Sequence, residues 1–490
     1  MKERSDAPVK KRVQDPDGYV ALLLYPSYGH GRNLAIYMKF SPDYLLQQLR
    51  RYPNTSCYQV AFSGGLDSHA LLHALCKLRA VLDAEIGAVH VNHGLQQDAD
   101  HWESHCRQVC AGLQVPYVSL TVDGKARRGE SPEAAARSAR YTALADWLPA
   151  QHCLLTAQHQ DDQAETLLLQ LLRGSGVNGL AAMPAMTMLG AGRHLRPLLA
   201  VSRELLHQYA EANRLVWIED PSNADAAFDR NYLRQQVLPV LRERWPAVAS
   251  SLSRSASHCA DAAQLLADLA EQDLHALSGR ENTLSLTGLV ALPHTRQGNV
   301  LRHWIKLLAG KTPSAAVLAR IMNDVIGSRR DSEPCVRWGS FELRRYREEL
   351  FLLRQAGSED QSAVLDWVLA GPLALPGKGG TLTTTPATGG GIRAAAVPDG
   401  RVRVTWRQGG EWCMPAGREH HHRLKKLFQE QGVPPWERSR IPLIYIQDRL
   451  AAVAGMWVCE PFQAGPAESG LVINWLPGQQ STVSGQISAI

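Results

Sequence analysis

Ser63-Gly64-Gly65-Leu66-Asp67-Ser68 follows a short apolar run, Tyr58-Gln59-Val60-Ala61-Phe62, and leads into a stretch with apolar residues at helical spacing. Two glycines let a backbone turn tightly and leave successive N–H groups free to face an anion. A helix that starts there adds the positive end of its dipole, so a pyrophosphate fits on the loop without a lysine. Ser63 and Ser68 can donate hydroxyl hydrogen bonds to phosphate oxygens. Asp67 cannot meet phosphate directly at low cost and suits Mg²⁺ or a cationic ligand instead. The bland alternative is a glycine turn closed by a serine cap, and the strand–loop–helix context weighs against it.

Three further groups carry chemistry. Asp161 and Asp162 open a predicted helix with Glu165 one turn on; they suit capping of the dipole, Mg²⁺ or an ammonium substrate. Arg137, Arg140 and Tyr141 share one helix face, fit for phosphate or a base, although a solvated stripe has the same pattern. Arg230 and Arg234 lie four apart on a predicted helix with Asn231 between them, which suits a backbone-phosphate contact or an anionic intermediate. Near the C-terminus, Arg418, Lys425, Lys426, Trp436 and Arg438 interleave basic residues with an aromatic, a pattern that fits RNA as well as an amphipathic helix with a solvated face. His101, His105, Cys106 and Cys110 have the look of a metal set, but four ligands from one straight helix close a tetrahedron poorly.

The elements that position these groups alternate. Strands are expected at 58–62, 85–91, 115–122, 152–157 and 214–220, with helices between them, which means a parallel α/β sheet covered on both faces. Polar clusters follow strands one, two, four and five, at the carboxyl ends where such sheets bind ligands. After about residue 225 the chain becomes helix-rich to 325. Short strands follow over 335–365, then a Gly-, Thr- and Pro-rich stretch at 371–392 that reads as turns, a hairpin or a linker. The expected division is an extension at 1–37, a nucleotide domain at 38–225, a helical middle domain at 226–350, a linker or strand region at 351–399, an α+β C-terminal domain at 400–475 and a tail. Ser41-Pro42 opens a capped helix, so Met38 is read as the working initiator.

At 490 residues the chain is too long for one ordinary domain. Its charge, 52 − 47 = +5, permits a nucleic-acid partner. No apolar run is long enough to span a bilayer, which excludes an integral membrane protein. The nine cysteines include no Cys-x-x-Cys and no disulfide framework, and a cytoplasmic setting is expected.

The SGGLDS string lacks the lysine of a Walker loop and resembles the phosphate loop of the PP-loop ATP pyrophosphatases. With HVNHGL (90–95), ARSARY (136–141), HQDDQAETLLLQLLRGSGVNGLAAM (159–183), RPLL (196–199), EDPSNADAAFDRNYLRQQVLPVL (219–241) and PAGREHHHRLKKLFQEQGVPPWERSRIPL (415–443), the chain resembles the tRNA(Ile)-lysidine synthetases from about residue 40 to 475. That resemblance implies a Rossmann-like PP-loop domain and ATP-dependent ligation of free L-lysine to the wobble cytidine of the CAU-anticodon isoleucine tRNA. It implies that residues 63–68 hold ATP and Mg²⁺, with Asp67 and Asp161 at the metal. Asp162 and Glu165 would face the lysine ammonium or the metal. Arg230, Asn231 and Arg234 would face the tRNA or the adenylated intermediate, and the later domains would grip the tRNA. Gln96 departs from the arginine common after HVNHGL. A homodimer is left open, as are a related tRNA thiolase and a non-catalytic RNA-binding protein. The missing cysteine pair argues against the former and the intact acidic residues against the latter.

Overall fold

The computed structural model describes residues 39–92, 99–123, 132–219, 225, 227–277, 279, 282–329, 332–355, 363–377 and 379–478. The expectations for residues 1–37, Met38, Gln96, Ser131, most of EDPSN and the last twelve residues lie outside these. The chain divides into two compact units at residues 260/261.

The first unit holds α1 (Pro42–Leu49), β1 (Cys57–Ala61), α2 (Leu66–Lys77), β2 (Glu85–Asn92), α3 (Ala99–Gly112), β3 (Tyr117–Thr121), α4 (Pro132–Trp147) and β4 (His152–Leu155). These are followed by α5 (Gln160–Leu172), α6 (Val177–Leu180), β5 (Met186–Leu189), β6 (Gly192–Leu195) and α7 (Arg203–Ala212). The sheet runs β3-β2-β1-β4-β6-β5 and is parallel except for β5. Central β1 pairs with β2 and β4, Val60 lying opposite Ala88 and Leu155. Val60, Leu71, Leu75, Ala88 and Leu155 are fully buried in the core beneath this sheet, as a strand covered on both faces must be.

The fifth strand expected at 214–220 is a correction. Leu215–Ile218 has no regular structure and joins no ladder; it lies on the loop after β1, where Ile218 N–H donates to Gly64 O at 3.0 Å and His69 Nδ1–H to Val216 O at 2.9 Å. The β5–β6 hairpin takes the sheet position instead. The signal was the Gly-Ala-Gly turn between MTML and RHL.

A continuous helix closes the unit: α8 (Asp229–Tyr232), a π-helical turn over Leu233–Val237 and α9 (Leu238–Arg244). Pro239 has no N–H and its ring crowds the carbonyl one turn back, so the widened turn precedes it. Arg234 sits in that turn. Helix α10 (Val248–Leu277) runs across the division into the second unit.

The second unit begins with β7 (Thr283–Ser285), α11 (Leu286–Ala291), α12 (His294–Ala309), α13 (Ala315–Arg320), β8 (Cys335–Trp338), β9 (Phe341–Tyr346) and β10 (Glu349–Arg354), around a core that includes Trp304, Ile321 and Leu343. Next come β11 (Leu365–Val368), β12 (Leu373–Ala374), β13 (Thr381–Thr388), β14 (Ile392–Arg393), β15 (Arg401–Thr405), β16 (Trp412–Cys413), β17 (His422–Arg423), α14 (Leu424–Glu430) and α15 (Pro435–Arg438). The last strands are β18 (Leu443–Ile446), β19 (Arg449–Val453), β20 (Trp457–Val458) and β21 (Ser469–Leu476). Of the alternatives for 371–392 the structure has the hairpin: β12 pairs antiparallel with β13, and all eight residues of β13 pair with β21. Its threonines are β-branched, and Pro386 falls where β12 no longer flanks the strand. Cys413 and Cys459 form a disulfide 46 residues apart in the C-terminal core, which no spacing pattern signalled.

Candidate active site

The loop after β1 is braced from within. Gly64 takes φ +81°, and a Cβ there would approach Cys106 Sγ to 3.0 Å, so glycine is needed on both counts. Ser63 N–H donates to Ser68 Oγ (3.3 Å), the two hydroxyls lie 3.1 Å apart, and Ser68 Oγ–H donates to Gly65 O at 3.0 Å. Leu66 is buried and anchors the loop on the core. No side chain caps α2, which leaves its first amides to an incoming anion.

Asp67 stands on that first turn. Its Oδ1 is shielded from solvent without a hydrogen-bond partner, and its Oδ2 lies 3.6 Å from His159 Nε2. His159 is the residue that sequence reasoning missed. It precedes α5, is 2% exposed, and Nε2 also lies 3.5 Å from Asp162 Oδ2 while Nδ1 lies 3.7 Å from Asp161 Oδ2. Burial alone would push its pKa down; Asp162, Asp67 and Asp161 outweigh burial and raise it. One imidazole therefore ties the phosphate loop to the acidic end of α5. The position just before an acidic first turn was its only signal in the sequence.

The acidic end of α5 corrects several expectations. Glu165 is fully buried: Arg234 Nε donates to Oε1 at 2.7 Å, and Arg230 Nε (2.8 Å) and Arg234 Nη2 (3.0 Å) donate to Oε2. Asp162 Oδ2 accepts from the His159 N–H at 3.0 Å and Oδ1 from Arg234 Nη2 at 3.2 Å. Arg230 and Arg234, expected to face RNA or an intermediate, thus turn inward onto carboxylates, because burying Glu165 without them would strand a charge. Asp161, expected at Mg²⁺, is committed elsewhere: Oδ2 accepts from the Arg203 N–H at 2.9 Å and Oδ1 from Arg242. Asn231 Nδ2 donates to Asp225 O at 2.9 Å and closes the turn before α8.

Among the described residues no three His, Cys, Asp or Glu side chains form a metal cage. Mg²⁺ needs none, since one or two carboxylates with substrate phosphates and waters suffice. The unpartnered Asp67 Oδ1 beside the phosphate loop fits that role. Cys106 and Cys110 are buried in the core, which pushes both thiols up to about 12.

On α4, Arg137 and Arg140 are exposed, and the Arg137 guanidinium lies 5.0 Å from the Tyr141 ring centroid. In the second unit, Lys425 and Lys426 stand exposed on α14, and Arg418 is in an exposed ion pair with Glu430 at 2.8 Å. Trp436 and Arg438 pack against the strands before them. Trp436 packs edge-on against Tyr346 and Phe351, and Arg438, 4% exposed, donates to Val433 O at 2.8 Å and Tyr346 Oη at 3.1 Å. The proline pair before Trp436 turns the chain back onto β9 and β10.

A parallel sheet, an uncapped helix behind a Gly-Gly turn and a lone carboxylate beside it define a PP-loop nucleotide-binding protein. Residues 40–241 match the PP-loop domain, residues 284–351 the TilS substrate binding domain and residues 402–475 the TilS substrate C-terminal domain. The tRNA(Ile)-lysidine synthase of Coxiella burnetii is 44% identical over 88% of this chain and 96% of its own. That of Methylococcus capsulatus is 45% identical over 86% and 97%. The chain belongs to the tRNA(Ile)-lysidine synthase family, ligases that form a C–N bond. A solved U34-tRNA thiolase of Methanococcus maripaludis is 15% identical and overlaps 44% of this chain and 77% of its own, at a TM-score of 0.38. No helix among the described residues is long and apolar enough to cross a membrane.

Proposed function

We propose that this chain joins free L-lysine to C2 of the wobble cytidine in the CAU-anticodon isoleucine tRNA, in two steps at the β1–β4 strand ends. The observation that carries the reading is the junction of an open phosphate loop and an acidic pocket, Asp67 to Asp162, through His159. In the first step the cytidine O2 attacks the α-phosphorus of ATP and pyrophosphate leaves. The Ser63–Ser68 loop holds the departing phosphates on its N–H groups and hydroxyls. Asp67 would hold Mg²⁺, whose charge offsets that of the pyrophosphate. In the second step a lysine amine attacks C2, the C2–O bond breaks, AMP leaves and the amine loses a proton. Adenylation comes first because AMP is a far better leaving group than a carbonyl oxygen.

Asp162, toward Asp67, supplies the negative field that receives the lysine ammonium, while Glu165 is spent on Arg230 and Arg234. Arg230 and Arg234 limit how much of that field is free. Arg137, Arg140, Arg418, Lys425 and Lys426 supply positive charge for the tRNA backbone, and the two regions after residue 283 grip its acceptor end and body.

The test is incorporation of labelled lysine by purified protein given ATP and either isoleucine or methionine tRNA with a CAU anticodon. Label in the isoleucine tRNA alone, lost in Asp67→Ala, is expected. Pyrophosphate release without lysine incorporation would require another nucleophile. An iron–sulfur spectrum in anaerobically purified protein would support the thiolase.

A further inference from the structure

Arg196 follows β6 directly and is 8% exposed, yet among the described residues no carboxylate pairs with it. Its Nη1 donates to Pro184 O at 2.8 Å and its Nη2 to His194 Nδ1 at 3.1 Å, while Nε is buried with no partner. A buried guanidinium without a counter-ion is costly. Arg137 compounds the cost from above: its guanidinium lies over Tyr141, whose ring is 5.7 Å from that of His194.

The neighbours hold this pair in place without neutralising it. Because Arg196 can only donate, His194 Nδ1 accepts and Nε2–H donates to Thr156 Oγ1 at 2.8 Å; the Thr156 hydroxyl passes to Gln158, whose Nε2 reaches Tyr141 Oη at 3.4 Å. Burial, then Arg196 and Arg137, push the His194 pKa down to about 3, so the imidazole stays neutral and adds no charge. Every member is therefore oriented; Tyr141 also hydrogen-bonds the Arg196 side chain but is neutral, and among the described residues no carboxylate offsets the positive charge.

We propose that Arg196 and Arg137 form a second anion site, distinct from the ATP loop, that takes a phosphodiester of the bound RNA beside the nucleotide being modified. The inference rests on the tRNA reading above. The site lies at the carboxyl end of β6, two strands from the phosphate loop after β1, or about 10 Å at ordinary strand spacing. A triphosphate seated on Ser63–Ser68 has its own N–H groups there, and a polynucleotide is the substrate that brings a further phosphate.

The experiment measures tRNA affinity against salt for the full-length protein, with Arg137→Gln and Arg196→Gln, alongside the KM for ATP. Arg137 is exposed, so its variant should keep the fold; a melting curve checks Arg196→Gln. Each variant is expected to weaken tRNA binding about tenfold and to reduce the slope of log K against log salt by about 0.7–0.9, as loss of one phosphate contact does. The KM for ATP should stay within twofold. An unchanged salt slope in both variants, with only a lower Tm for Arg196→Gln, overturns the site and leaves the arginines structural. A raised KM for ATP with unchanged tRNA affinity assigns the anion to ATP and overturns it equally. If the unaltered protein binds no tRNA, the proposed function itself fails.

Discussion

The phosphate loop and the α5 cluster face each other across His159, but they are built on opposite principles. The loop is braced by its own serines and keeps its helix amides and Asp67 Oδ1 unspent. The α5 cluster is fully charged and spends almost everything on itself, with Arg230, Arg234 and Arg242 pairing Glu165, Asp162 and Asp161. The first is a site waiting for a ligand; the second is a frame that fixes where the ligand must go. Residues of one chemical type, aspartates a few ångströms apart, therefore differ in what their loss should do.

Asp67→Ala gives the sharpest contrast. It should lower ATP-dependent lysine incorporation by about a thousandfold, the scale of losing one preorganised electrostatic contact to a reacting phosphate. Folding stability should change by less than about 1 kcal/mol, since Oδ1 has no hydrogen bond to lose and Oδ2 has only the 3.6 Å contact to His159, which keeps Asp162. Incorporation rates and urea unfolding measure the two arms. A variant that is both inactive and strongly destabilised would make Asp67 part of the frame.

Glu165→Gln should invert that pattern. Neutralising a fully buried carboxylate strands two guanidinium groups and should cost about 3 kcal/mol of stability. Activity should fall through loss of folded protein and of the geometry of α5. Urea unfolding decides it: stability within about 1 kcal/mol of the parent would show the arginines finding other partners, as an RNA- or intermediate-facing role would let them.

The same contrast explains what the sequence discloses. SGGLDS was legible because a glycine turn between an apolar strand and a helix has few physical uses, and the alternation of β and α placed it at a ligand-binding edge. The α5 carboxylates were legible as charges but not as pairs. Which arginine reaches Glu165 depends on the π-helical turn at Leu233–Val237, and no local pattern says that Arg230 and Arg234 point inward. His159 was hidden because its importance comes from three aspartates, one of them on a different helix. The packing of Arg438 and Trp436 was not legible because basic and aromatic residues near prolines serve packing as well as RNA binding, and only the fold brings them against β9 and β10. Arg196 sat within a matched string, and only its missing counter-ion distinguishes it.

A smaller effect tests whether the loop depends on its shape alone. Gly64→Ala adds a methyl group at φ +81° and 3.0 Å from Cys106 Sγ. It should cost about 1–2 kcal/mol in stability and raise the KM for ATP, because the N–H groups would no longer converge. Cys106→Ala in the same chain relieves the contact but not the backbone strain, so it should restore only part of the loss. Full restoration would mean that the steric contact, and not the left-handed backbone, makes glycine necessary.

The smallest expected effect concerns the histidines behind these sites, which the fold keeps neutral. Burial pushes His69 down to about 4 despite its bond to Val216 O, and burial with Arg196 and Arg137 pushes His194 down to about 3. Each binds its proton more readily in the unfolded chain, near the ordinary value of 6.5. The stability they contribute is therefore complete above about pH 6.5 and is lost as pH falls toward 4 and 3. Where unfolded His194 is protonated and folded His194 is not, the loss approaches about 1.4 kcal/mol per pH unit. His194→Gln keeps a polar side chain but cannot titrate, so its stability should fall less steeply between pH 6 and 4 than the parent's, on the order of one proton less by urea unfolding. Parallel pH profiles would mean that His194 is charged in the folded protein. A cation there would be repelled by Arg196 and Arg137, so the parallel result would also require a bound anion or carboxylate already beside them.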